Sequence, residues 1–348
     1  MVLAILRSTS IYNAKRWIVL KTYRFQIMAP ILLFFTSLVS SLYFSEFEPR
    51  KLLSYLVISS IPLSYAMLST KMNPIKITSG LVIIHSTVLF CQFGLFYFFN
   101  VDFDPVYLLS DVKQGGWGGM QEHDILGRFR RLGGLYSEPG TYANFVAPLV
   151  AILILKGHSE NTNKVAFLGA ISIFFTFSIF GWIYLLVLIA LKLFHSKWKS
   201  FFIFMVTFGA IVLAMPYLIF RFTGFRSDAS TASRLANLDA ILQINTESTS
   251  NFLLGSGLLT SKIPFELFGA INDVGLLFYL FLTAGFFGVL IVVFTVFDAC
   301  RRLQMPGMAI GILLLSSKIS IFAPMFWMIL IITLQSSAEN SNSSKLQK

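Results

Sequence analysis

The sequence predicts an all-α fold, a polytopic integral membrane helical bundle of about ten transmembrane helices. Three observations predict it. The chain is 56% hydrophobic and only 12% charged, where a soluble protein would carry roughly twice that charged fraction. Uncharged windows of about 19 to 22 residues recur along it, matching the hydrocarbon thickness of a bilayer. Basic residues punctuate those windows in a pattern that orients a membrane protein. The net charge of +11 is therefore read as membrane orientation, with membrane lipid as the surrounding partner. No nucleic acid is expected, since no binding module is present.

Taken in order, residues 1–24 form a basic cytoplasmic N-terminus without a small-residue cleavage site, and so read as a retained lead-in. A transmembrane domain follows over 25–335. Its clear spans are 25–44, 52–70, 78–99, 140–155, 200–220 and 274–297. Two further apolar blocks, 165–194 and 307–335, are each about 30 residues long; a single helix of that length would run about 45 Å, beyond the bilayer core. Each is predicted to be two short helices, broken near Ser178–Trp182 and near Lys318–Ser320. Charge supports the breaks. With both termini inside, Lys71, Lys76, Lys156, Lys164, Lys192, Lys197, Lys199, Arg301 and Arg302 all become cytoplasmic only if both blocks are hairpins. Arg50 and Lys51 run against that tendency. Two large outer loops result, 100–138 and 221–273, and residues 336–348, rich in Asn and Ser, read as a disordered cytoplasmic tail.

The basic residues differ in kind between the two faces. Lys dominates the cytoplasmic set, whereas Arg128, Arg130, Arg131, Arg221, Arg226 and Arg234 dominate the outer loops. Bidentate recognition of phosphate or carboxylate favours Arg, so the outer face is where an anionic substrate is expected. Ser137-Glu138-Pro139 carries two readings. It is a helix start, with a capping side chain and Pro in the first turn; it also sets Glu138 beside Arg131, able to take a proton from a hydroxyl. Arg128, Arg130 and Arg131 either pair with the upstream acids Asp102, Asp104, Asp111, Glu122 and Asp124 or grip a phosphate. In the second loop, Ser230 to Arg234 opens an amphipathic helix with Leu235, Leu238, Ile241 and Leu242 as its apolar stripe. Arg234 stands in the first turn, away from the end where the helix dipole welcomes a cation. Asn272-Asp273 either caps the 274–297 span or contributes to the site.

Asp102-x-Asp104 is a carboxylate pair of the kind that can share a divalent cation, but the motif is short and common by chance, and no metal is assigned. Cys91 and Cys300 are too few for a metal cluster and fall at different depths. No cofactor is expected. Lys318, in the middle of an apolar block, is either functional by virtue of its place or snorkels outward from a hairpin tip.

The chain resembles the O-antigen ligase and polymerase superfamily of bacterial envelope polysaccharide enzymes. The resemblance is carried by Arg131-x-Gly133-Gly134-Leu135-Tyr136-Ser137-Glu138-Pro139 running to Ala143, by Ser233-Arg234 with Leu254-Gly255-Ser256-Gly257 downstream, and by Asp273-x-Gly275 leading into a span with Gly285 and Gly288. Thr176-Phe177-Ser178 is similar to a further family segment. Where many members have Ser-Arg, this chain has Ser178-Ile179, and the outer-loop histidine typical of the ligases is replaced by Asn272-Asp273, which favours a polymerase. The resemblance implies a glycosyltransferase class C-like fold in the bacterial cytoplasmic membrane, with its active site facing outward. It implies metal-independent, inverting transfer of a growing glycan from undecaprenyl pyrophosphate to a sugar hydroxyl of the next lipid-linked repeat, for O-antigen, capsule or exopolysaccharide. Glu138, Arg131 and Arg234 would be catalytic, with Arg128, Arg130, Arg226, Tyr136 and Asp273 binding substrate. The partners so implied are the undecaprenyl-pyrophosphate-linked oligosaccharide and, as a candidate, a chain-length regulator protein.

Other functions stay open at this point. An O-antigen ligase would share the same outer loops. A flippase for the same lipid-linked sugar would line its spans with charge, and these spans carry almost none. A membrane scaffold would tolerate alanine throughout both loops.

Overall fold

The computed structural model describes residues 24–43, 73–110, 121–123, 127–129, 131–157, 159–193, 229–257, 275–301, 304–319 and 325–335. The expected spans 52–70 and 200–220, the N-terminal lead-in and the tail lie outside the described residues. Within them the protein is helical apart from one two-stranded ribbon. In chain order the elements are α1 (Arg24–Tyr43), α2 (Pro74–Phe99), α3 (Pro105–Ser110), β1 (Gln121–His123), β2 (Gly127–Phe129), α4 (Pro139–Lys156), α5 (Glu160–Phe174), α6 (Ile179–Leu193), α7 (Ala229–Thr246), α8 (Thr249–Leu254), α9 (Leu276–Arg301) and α10 (Gln304–Leu315). A last short apolar helix, α11, covers Met325–Gln335.

Three of these, α2, α4 and α9, are long and apolar enough to cross a membrane. Large apolar side chains stand on the outside of the bundle, among them Phe35, Ile84, Phe98, Phe167, Phe294 and Ile312. Exposed apolar surface spread over so many helices is costly in water and suits contact with lipid. The protein is a helical membrane-associated bundle.

Two groups of helices make it up. In the first, α4 is the centre: every residue from Tyr142 to Leu153 is buried, and α2, α5, α6 and α10 pack around it. Gly169 lets α5 close on α4 and α2, since a Cβ there would stand 2.5 Å from Val150 and 2.7 Å from Val82. In the second, α9 is the centre, contacted by α1, α7, α8 and α10. Helix α10 touches both groups and joins them.

Both long apolar blocks are broken, near the expected positions and by the same local device. Helix α5 ends where the Thr176 hydroxyl donates to the Ile173 carbonyl (2.6 Å) and accepts from the Ser178 N–H (3.3 Å). Helix α10 ends where the Ser317 hydroxyl donates to the Leu314 carbonyl (2.6 Å) and accepts from the Ile319 N–H (3.2 Å). A hydroxyl that bonds back three residues and forward two competes with the helical ladder and stops it. The breaks fall a little before the predicted positions, at 175–178 and 316–319. Phe177, at φ 52°, completes the first turn in the left-handed region.

Helix α9 contains a third interruption that composition did not foretell. Gly285 adopts φ 62°, ψ −164°, a conformation essentially confined to glycine. Gly255, after α8, adopts φ 69°, ψ −178° and lies against it. The break frees two carbonyls of α9, and the chain after α8 supplies their donors: Ser256 N–H to Leu282 (2.8 Å) and Gly257 N–H to Thr283 (3.0 Å). Two of the glycine motifs singled out in the sequence are thus one packed junction. The amphipathic stripe of α7 needs correction. Ile241 is buried and Leu238 part-buried, but Leu242 is exposed; the inward line runs from Ile241 to Asn245, one turn on.

Candidate functional site

The segment from Arg131 to Glu138 enters α4 along a path held by α2. Gln92 accepts from the Gly134 N–H (3.0 Å) and donates to the Phe103 carbonyl (3.0 Å), tying both ends of the segment between α2 and α4 to one side chain. Gly134 takes φ 58°, the left-handed turn that Gly adopts at no steric cost. Tyr136 stacks on Phe145, with ring centroids 4.7 Å apart, and its hydroxyl lies 2.7 Å from His85 Nε2. His85 Nδ1 faces the Leu81 carbonyl at 2.7 Å. A carbonyl only accepts, so Nδ1 carries the proton, Nε2 accepts, and Tyr136 donates. Burial pushes the Tyr136 hydroxyl above its ordinary pKa, keeping it a neutral donor. That hydroxyl, expected to meet substrate, is turned inward onto α2.

Glu138 is the N-cap residue of α4, with extended backbone and Pro139 in the first turn. It makes no capping hydrogen bond with its side chain. The carboxylate is drawn elsewhere instead of capping its own helix. Glu138 Oε2 pairs with Lys318 Nζ at 3.3 Å. The positive end of α4 also favours an anion there. The Lys318 ammonium lies 6.0 Å from the Phe180 ring centre. Its side chain is 7% exposed, against 30% for Glu138. Lys318 therefore does not snorkel outward; it stands behind the carboxylate.

Two breaks and two helix N-termini meet at this end of the bundle. Gly140 of α4 faces Ser178 in the first break, where an added Cβ would meet the Ser178 hydroxyl at 3.5 Å. Glu138 reaches Lys318 in the second break. The N-terminus of α9 joins them, its Leu276 N–H donating to the Ser317 carbonyl (2.8 Å). Tyr184 of α6 donates to Asn144 Oδ1 (2.6 Å) and reaches the Ser316 carbonyl (3.4 Å). Asn144 is 1% exposed, and its Nδ2 has no hydrogen-bond partner among the described residues. Pro148 lies four residues on in α4 and lacks the N–H that would bond the Asn144 carbonyl.

The other expected site residues stand as follows. Arg131 lies on the approach to α4 and is part-exposed. Arg128 lies in β2, where the backbone register sets it opposite Glu122, one of the acids weighed as its partner. Arg234 is in the first turns of α7, which packs on α8 and α9; its side chain lies outside the described residues, as do Arg130, Arg226 and Asp273 altogether. Asp104 caps α3, accepting from Val106 and Tyr107 (both 3.0 Å). No group of three metal-ligating side chains gathers among the described residues.

Sequence reasoning passed over His85, Gln92, Asn144 and Tyr184. His85 and Gln92 are seven residues apart in one apolar span, hence on one helix face, which was the available signal. The pairing of Glu138 with Lys318, 180 residues apart, had none. The chain matches no family model, no curated protein and no solved structure.

Proposed function

We propose that the protein is a polymerase of lipid-linked oligosaccharide repeats, a metal-independent inverting glycosyltransferase on the outer face of the bacterial cytoplasmic membrane. In this reading the bundle has about ten spans, is glycosyltransferase class C-like, and has both termini inside. The observation that carries it is the part-exposed Glu138 carboxylate, held at a helix entrance by a buried cation, with Arg131 seven residues before it. A carboxylate so placed can take the proton of an acceptor hydroxyl. The hydroxyl oxygen attacks the anomeric carbon from the face opposite the leaving group, and undecaprenyl pyrophosphate departs. Arg131 and Arg234 meet the charge that grows on that leaving group, helped by Arg128, Arg130 and Arg226.

The test is the surface glycan profile of cells lacking the protein, complemented with wild type, Arg131→Ala, Glu138→Ala or Arg234→Ala. Wild type restores a ladder of polymer, and each variant leaves single repeat units while the protein stays in the membrane. An unchanged ladder in all three variants refutes the reading. Loss of all surface units, with the lipid-linked repeat held inside, points to a flippase instead.

A further inference from the structure

The Glu138–Lys318 pair is unequal, with the carboxylate in reach of solvent and the ammonium behind it. Ion pairs that serve packing alone bring little net stability, because desolvating both charges offsets much of their attraction. This one is held with unusual care. The break that carries Lys318 is fixed from α9 by Leu276, from α6 by Tyr184 and from within by the Ser317 hydroxyl. Tyr184 also links this break to Asn144, whose Oδ1 accepts from it and whose Nδ2 is a buried donor with no acceptor among the described residues. A buried amide N–H without a partner is costly and asks for an acceptor. A buried ammonium paired with a part-exposed carboxylate, at a junction that also holds an unpartnered amide donor, forms a setting suited to a second anion.

We propose that Lys318 is a shared cation, paired with Glu138 in the structure and turned onto a diphosphate when one binds. This deepens the polymerase reading and rests on it for the identity of the ligand. A diphosphate that draws the ammonium away releases the Glu138 carboxylate as the acceptor hydroxyl arrives. The hydroxyl oxygen then bonds to the anomeric carbon, and the bond from that carbon to the diphosphate oxygen breaks, its electron pair leaving with the oxygen. The proton passes to Glu138, and Lys318 meets the charge on the departing diphosphate. One cation thereby couples arrival of the donor to activation of the base.

The experiment titrates undecaprenyl diphosphate, and in parallel inorganic pyrophosphate, into the full-length protein in lipid nanodiscs. Lys318→Ala weakens binding roughly tenfold or more, as expected for loss of a charge-assisted contact, and Lys318→Arg largely restores it. Glu138→Gln tightens binding, because it removes both a competitor for Lys318 and a repelling charge. The same Glu138→Gln change has a smaller effect when Lys318 is already Ala. Both ligands following this pattern assigns the site to the diphosphate group itself; the lipid alone following it assigns the site to a lipid-borne diphosphate. Unchanged binding in a folded Lys318→Ala protein, or no tightening in Glu138→Gln, overturns the proposal. Should Lys318→Ala fail to fold, Glu138→Gln and Lys318→Arg decide it. The two readings fail separately. A normal glycan ladder in Arg131→Ala, Glu138→Ala and Arg234→Ala cells alike defeats the polymerase reading and leaves the binding pattern standing, whereas a collapsed ladder without the binding pattern defeats only the shared cation.

Discussion

Replacing Gly285 by Ala tests the junction that holds the N-terminal part of α9. At φ 62°, ψ −164°, any side chain carries backbone strain of about 1–3 kcal/mol. The added Cβ would also stand 2.5 Å from the Gly255 nitrogen and from the Leu253 carbonyl carbon and oxygen. These are backbone atoms that cannot swing aside, so the chain after α8 must move off α9. That movement breaks the bonds from Ser256 and Gly257 to Leu282 and Thr283, each contributing about 0.5–1.5 kcal/mol. It also disturbs the bond from the Ser40 hydroxyl to the Gly255 carbonyl (3.0 Å). The expected loss is about 2–6 kcal/mol. Cys300 supplies the assay. It is buried between α9 and α10, its sulfur 3.3 Å from a Cβ built at Gly311, and reacts with a fluorogenic maleimide only once those helices part. In a Cys91→Ser background, heating the detergent-solubilised protein should show Gly285→Ala unfolding well below wild type. Gly94→Ala is the control: nothing lies within 4 Å of a Cβ there, so it should gain about 0.5–1 kcal/mol from the helix preference for Ala. Equal unfolding temperatures for Gly285→Ala and wild type would refute the account of the junction.

Three further outcomes are expected. Gly169→Val drives a side chain into Val82 and Val150 and should cost about 1–3 kcal/mol or more by overpacking; normal stability in the same thermal assay would mean α5 does not close on α4. Tyr136→Phe keeps the stack on Phe145 but leaves His85 without its donor, so stability should fall by about 1 kcal/mol while the glycan ladder is retained. A collapsed ladder with undiminished stability would instead give the hydroxyl to substrate. Cys91, exposed on the membrane-length helix α2, should react in intact membranes with an apolar maleimide and resist a charged one. Equal labelling by both would place that face of α2 in water.

The sequence by itself determined the solvent this protein is built for and much of its helical layout. Hydrophobic windows set spans of bilayer length, and α1, α2, α4 and α9 fall close to the expected limits because apolar length and helix breakers act locally. The two broken blocks were legible for a different reason: each is longer than one helix needs to cross a bilayer core, and the order of charges favours a break within it. Composition could also flag Glu138 and Lys318 as costly charges in apolar surroundings. What it could not supply was their partners. Whether Glu138 caps α4, pairs with Arg131 or reaches Lys318 depends on which helix ends meet, and contacts across such separations leave no periodicity to read. The same holds for Gly255 and Gly285, each of which looks like an ordinary turn or packing glycine until their backbones are brought together. Tertiary packing decided that the carboxylate stays free of its own helix and is held from another, because a buried ammonium with a fixed backbone attracts it more strongly than an N-terminal N–H that water can satisfy.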